Sequence, residues 1–262
     1  MKNTNDRKQQ ISPSLLKVIK LASSGQYEHA INAINNIRKE NRENPIFFNT
    51  LGIIYRRLKK YREAEKACKK ALFLKPDFIQ AEVNLASVYL EREDLNDATA
   101  LLELVLKKRP AYPEALSNLA YAFKKMGNYL KAESSYKKCL RLNPNLNKAT
   151  FNFGITLLTL GKFKEGWEKY EYRWQVDPGD KVVWPLKNTP MWEGQKDKGV
   201  FLWREQGIGD DIIFLGLVPE AYEKAGKGMT VLIDPRLVAI CERSMPGIDF
   251  LPAAKGSVPE DR

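Results

Sequence analysis

Histidine, cysteine and unbroken apolar sequence are all scarce in this 262-residue chain. The single histidine, His29, follows Glu28 near the start of a predicted solvent-facing helix, so it reads as surface or local packing with no catalytic part. Cys68, Cys139 and Cys241 lie far apart, a spacing that argues against both a disulfide framework and a metal cluster. No run of about 18 apolar residues occurs, which argues against a membrane-spanning helix. Residues 1–10, MKNTNDRKQQ, lack the hydrophobic stretch of a signal peptide and read as a disordered lead-in. The expectation is a soluble, cytoplasmic protein without a metal or a tightly held cofactor.

Acidic residues are also short, and the deficit is local. Against a formal charge of +11 for the chain, residues 1–180 hold 32 Lys and Arg to 20 Asp and Glu, while residues 181–262 hold 11 to 12. A basic surface on the first part suits acidic peptides or phosphate groups. The plainer reading is a solvated face, since the lysines of LKKYREAEKACKKAL flank an apolar stripe. Nucleic acid is a poor fit, because the aromatic residues occupy repeat-core positions and do not alternate with basic ones.

What the chain has is a clock. Pro76, Pro110, Pro144 and Pro178 stand 34 residues apart, and Leu51-Gly52, Leu85-Ala86, Leu119-Ala120 and Phe153-Gly154 recur in register. So do Tyr55, Tyr89, Phe123 and Leu157, and the small residues Ala64, Ala98, Ala132 and Gly166. A period of this length predicts stacked helical hairpins. Apolar residues three and four apart make one face of each helix adhesive, and the small residue lets the partner approach. Repeats are placed at 11–44, 45–78, 79–112, 113–146 and 147–178; the first is degenerate, with Arg42 where proline would fall. These features closely resemble the tetratricopeptide repeat family.

First-helix residues off the core should line the inner surface of such a superhelix. They are Asn49, Ile53, Arg56 and Arg57 in the second repeat and Ser117, Tyr121, Lys124 and Lys125 in the fourth. This mixture suits an extended peptide, an acidic one included, and it does not match the basic-and-asparagine clamp that some family members use for chaperone C-termini. Asn84, Asn118 and Asn152 recur once per repeat. An amide offers donor and acceptor together, so a row of them can pair with successive peptide groups. The row resembles the asparagine ladder of the protein O-linked N-acetylglucosamine transferase, although asparagine is common at this position in repeats of many functions.

All five tryptophans, Trp167, Trp174, Trp184, Trp192 and Trp203, fall within 37 positions. Packing that closes the open end of the solenoid, and joins it rigidly to the next segment, is the preferred reading over a sugar-stacking platform. Residues 179–198 form a Trp/Pro-rich linker. Residues 199–262 then read as strand, helix, strand, helix, strand: GVFLW, a helix interrupted near Pro219, MTVLID, PRLVAICERSM and IDFLPA. The predicted fold is an all-α superhelical solenoid of about five repeats followed by a partial, Rossmann-like parallel α/β domain.

The turn EQGIGDD holds Glu205, Gln206, Gly207, Gly209 and Asp210. Its glycines permit a tight strand-to-helix turn whose amides suit an anion, but it is neither GxGxxG nor a lysine-bearing phosphate loop. Asp210 or Asp211 is equally suited to capping the helix. With GKFKEGWEKYEYRW and MWEG before it, the turn resembles that of bacterial repeat proteins fused to a glycosyltransferase-like domain, related to heptosyltransferases of the GT-B fold. The resemblance implies that Asp210 is a general base for a glycan acceptor, that Glu205 and Gln206 belong to the same loop without an assigned role, and that a sugar nucleotide is the donor. It covers one partial domain and no donor-binding half. Three readings compete: a peptide- or protein-binding scaffold, a subunit or fragment of a sugar-nucleotide-dependent transferase, and a self-associating assembly protein. The incomplete α/β part is expected to be a truncated gene product, a remnant kept for binding or one part of a split enzyme.

Overall fold

A computed structural model describes residues 11–176, 191–196, 199–204, 207–226 and 228–253. The chain divides into two compact units, Met1–Val176 and Asp177–Arg262. The lead-in 1–10, most of the linker, Pro178, Trp184, Glu205 and Gln206 lie outside the described residues.

The first unit is a row of helical hairpins. α1 (Pro13–Ser23) pairs with α2 (Tyr27–Asn36), α3 (Pro45–Arg57) with α4 (Tyr61–Leu74), and α5 (Ile79–Glu91) with α6 (Leu95–Lys108). α7 (Pro113–Lys125) then pairs with α8 (Tyr129–Leu142), and α9 (Asn147–Thr159) with the short α10 (Phe163–Tyr170), which runs into a 3-10 turn at Glu171–Gln175.

The local chemistry repeats with the helices. Lys75, Arg109 and Asn143, the last residues before Pro76, Pro110 and Pro144, all leave the helical region, with φ of −144°, −138° and −143°. A proline ring crowds a helical residue before it, so the helix stops there. Inside each hairpin one residue takes a left-handed φ: Gly25 (77°), Lys59 (58°), Glu93 (66°), Gly127 (77°) and Gly161 (73°). In this unit two of the helices that begin on proline are also capped by side chains. Ser12 accepts from the Leu15 amide ahead of α1, and Asn44 accepts from the amides of Ile46 and Phe47 ahead of α3.

The hairpins close on small residues. Ala64, Ala98 and Ala132 are wholly buried, and large side chains from the partner helix and the next repeat fill the space around them. Around Ala132, Tyr136 stacks on Phe153 of the next repeat with ring centroids 5.7 Å apart, while Phe47, Leu51 and Ile54 pack with Ala67 and with Leu15, Val18 and Ile34 of the first repeat. Each fully buried Leu, Ile or Val contributes roughly 1.5–3 kcal/mol, and that burial is available only when neighbours stack.

The second unit is a small parallel sheet with helices. β1 (Val200–Trp203), β2 (Met229–Ile233) and β3 (Asp249–Pro252) lie in the order β1-β2-β3, all parallel. Val200 stands opposite Met229 and Val231 opposite Phe250. The connections are α11 (Ile208–Leu215) with α12 (Val218–Ala225), and α13 (Pro235–Ser244). Pro219 sits at the start of α12, where its missing N–H is no loss, so the apolar run from 208 to 225 becomes two helices. Val200, Val231, Ile233 and Phe250 pack with Val218, Ala225 and Cys241 to form the core.

Candidate functional site

The first helix of each hairpin touches the first helix of the next: α3 with α5, α5 with α7, and α7 with α9. These helices form one continuous layer, and the polar residues singled out from the repeat pattern lie on it.

The three asparagines are not equivalent rungs. Asn84 Nδ2 donates to Asn49 Oδ1 at 2.8 Å, and Asn118 Nδ2 donates to Ser87 Oγ at 3.0 Å, so each is tied to the preceding repeat. Each keeps one N–H and its carbonyl uncommitted in these bonds. Asn152 instead donates to its own helix, to the Lys148 carbonyl at 2.9 Å, and accepts from Lys124 Nζ at 2.7 Å. Sequence register finds the positions but not this change of role, because the partners at 49, 87 and 124 do not share the 34-residue period.

The basic residues divide similarly. Arg56 pairs with Glu91 of the next repeat. Arg57 lies over the Tyr27 ring at 5.9 Å. Lys125 pairs with Glu93 at 2.8 Å. Lys124 differs: its ammonium lies 4.8 Å from the centre of the Tyr121 ring, and no carboxylate among the described residues is within ion-pair distance. Burial, together with Lys125 and Lys148, lowers its pKa to about 8. Glu91 and Glu93, which are absent from the residues singled out in the sequence, answer Arg56 and Lys125 of this layer, while Glu82 pairs with Lys108 of α6 at 2.6 Å.

In the second unit, charged residues meet just beyond the C-terminal ends of β1 and β2. Arg204 reaches Asp211 and Asp234, each at 3.2 Å. Asp211 is buried and also accepts from the Asp234 amide at 3.1 Å. Asp234 caps α13 and is gripped by Arg236, whose hydrogen bonds hold its carboxyl well below the usual range. Asp210 is placed elsewhere, accepting from the Gly207 amide at 3.2 Å across the first turn of α11. Both carboxylates of the turn thus have structural duties: Asp210 caps, and Asp211 ties α11 to the end of β2. Gly207 and Gly209 have open space where a side chain would be, with only Asp210 Oδ2 near Gly207.

The described aromatic residues of the cluster fall in both units. Trp167 meets Tyr170 edge-on at 5.4 Å, and the Arg173 guanidinium lies between Tyr170 (4.8 Å) and Trp174 (4.4 Å) in the first unit. Trp192 packs on the core of the second. The three cysteines are buried and unpaired, and burial raises the thiol of Cys68 to about 12 and that of Cys139 to about 11. Among the described residues, no group of three His, Cys, Asp or Glu is arranged to hold a metal, and no helix is long and apolar enough to cross a membrane.

Comparison with known proteins agrees with this geometry. The tetratricopeptide repeat model matches residues 45–78 and 113–146, the bounds assigned to the second and fourth repeats. Protein FlbA of Caulobacter vibrioides is 26% identical over 208 residues, covering 77% of this chain and 35% of FlbA. That share exceeds the whole helical unit, so the similarity continues beyond Val176. The BBSome complex member BBS4 of Bos taurus is 26% identical over 147 residues, covering 56% of this chain and 28% of its own. The chain spans about a third of the length of the curated relatives it matches. Among solved structures, a thermophilic TPR protein of Thermus thermophilus aligns with a TM-score of 0.57 at 21% identity, over 64% of this chain and 91% of that one. With the hairpin row, the repeated turns and the matched repeats together, the chain is a tetratricopeptide-repeat solenoid protein that carries a small parallel α/β unit.

Proposed function

We propose that the solenoid is a protein-binding scaffold whose first-helix layer holds an extended peptide. The observation that carries this reading is the layer itself, where Asn84 and Asn118 each retain a donor and an acceptor beside Tyr121 and Lys124. Such a row pairs with the main chain of an extended segment, while neighbouring pockets read its side chains. The test is Asn118→Ala in the full chain, titrated with a peptide selected on the wild type. Loss of one or two amide hydrogen bonds should weaken binding by roughly 1–3 kcal/mol. Unchanged affinity in a variant with native helicity overturns the role of the row.

A second reading concerns the α/β unit, favoured by the glycine turn that leads from β1 into α11. On this reading the unit is glycosyltransferase-like, with Asp210 as the base toward a glycan acceptor and a sugar nucleotide as donor. Ligands of open parallel sheets bind beyond the C-terminal strand ends, where this turn lies. Calorimetric titration of the full chain with UDP- and ADP-linked sugars tests it: saturable heat that persists in Asp210→Asn, with hydrolysis or transfer of the sugar lost in that variant, supports it, and no heat from folded protein counts against it.

A further inference from the structure

Among the basic residues singled out on the first-helix layer, Lys124 is partly buried with no carboxylate of the described residues within ion-pair distance. Arg56 and Lys125 have carboxylates, and Arg57 has the Tyr27 ring. Lys124 is partly covered, rests against Tyr121 and is held by the Asn152 carbonyl, with Lys148 nearby on α9. Removing an ammonium from water without a counter-charge is costly, and the depressed pKa expresses that cost. The amide bond uses one of the three ammonium N–H groups. Two remain to donate, and the lysine is already oriented.

We propose that Lys124, braced by Tyr121 and Asn152, is the anchor for a carboxylate side chain of the bound peptide, so that the scaffold selects acidic segments. The inference rests on the peptide-binding reading above. The chemistry favours a carboxylate over a phosphate, because the cluster holds lysine ammonium groups and no arginine fork of the kind that grips phosphate bidentately. The charge balance agrees, since residues 1–180 carry 32 basic to 20 acidic residues. Lys125 and Lys148 add to the attraction, and Glu93, held by Lys125, is the nearby acid that the incoming carboxylate must tolerate.

The test pans a displayed library of random 12-residue peptides on the full chain, then measures fluorescence anisotropy of the recovered peptides. Each is compared with a copy whose Asp and Glu are replaced by Asn and Gln. The expected result is acidic peptides that bind at least tenfold more weakly when neutralised. Their preference should disappear in Lys124→Met and persist in Lys124→Arg, and affinity should fall between pH 7 and 9 as Lys124 loses its proton. Peptides bound without regard to charge, or a preference that survives Lys124→Met, overturn the anchor while leaving the scaffold reading standing. Recovery of no binding peptide from folded protein removes both.

Discussion

Gly154 of α9 and Tyr170 at the end of α10 are in backbone contact: a Cβ added to Gly154 would fall 2.7 Å from the Tyr170 amide nitrogen. It would also stand 3.0 Å from the Gly166 carbonyl. At Gly52 the corresponding atom would meet the Cys68 side chain at 2.6 Å, with the nearest backbone atom 3.4 Å away. The same repeat position is therefore closed by backbone in one hairpin and by a side chain in another.

Gly154→Ala should destabilise the first unit by roughly 1–3 kcal/mol, the usual cost of overpacking where the neighbour is main chain. Gly52→Ala should be partly rescued by Cys68→Ala, which removes the sulfur. Urea unfolding followed by circular dichroism measures both, and equal effects with no rescue would contradict the distinction.

Lys59 and Glu93 carry left-handed backbone at the position that glycine fills in three other hairpins. Relief of Cβ strain outweighs the added chain entropy there, so Lys59→Gly should stabilise by about 0.5–1 kcal/mol. Glu93→Gly should gain less, because it also loses the Lys125 ion pair. Thermal unfolding of the two variants checks the order.

Glu133 of α8 accepts from Lys137 at 2.7 Å and from Lys162, just before α10, at 2.6 Å. Its side chain is 9% exposed, and the hydrogen bonds from Lys137 and Lys162 lower its pKa. A carboxyl with a depressed folded pKa contributes stability above its unfolded value near 4.5, and that contribution is lost as pH falls through the lower folded value. Glu133→Gln should therefore cost roughly 1–2 kcal/mol at pH 7. The gap from wild type should narrow below pH 4.5. A constant gap from about pH 7 to about pH 3 would refute the linkage.

Asp210 and Asp211 should separate cleanly. Asp210→Asn weakens a single cap and should cost no more than about 1 kcal/mol. Asp211→Ala leaves the Asp234 amide without its acceptor and Arg204 with Asp234 alone, and should cost about 2–3 kcal/mol. Hydrogen exchange at the β2 amides reports the difference, and equal protection in the two variants would show that the Arg204 cluster holds nothing together.

The 34-residue period determined the hairpins by itself, because Pro76, Pro110 and Pro144 stop helices through local sterics and the apolar spacing assigns each helix its buried face. The order of strands and helices after residue 199 was equally legible, since a short apolar strand and a capped helix are both local events. The tertiary structure decided what the polar residues do. Asn84, Asn118 and Asn152 share a register, yet only the stacked repeats show that Asn152 holds Lys124 while the other two tie neighbouring helices. Likewise Asp210 and Asp211 are adjacent in sequence, but a helix turns about 100° per residue. That rotation leaves one carboxylate on the local turn and carries the other into the Arg204 cluster, where its partner at Asp234 comes from a strand end distant in sequence.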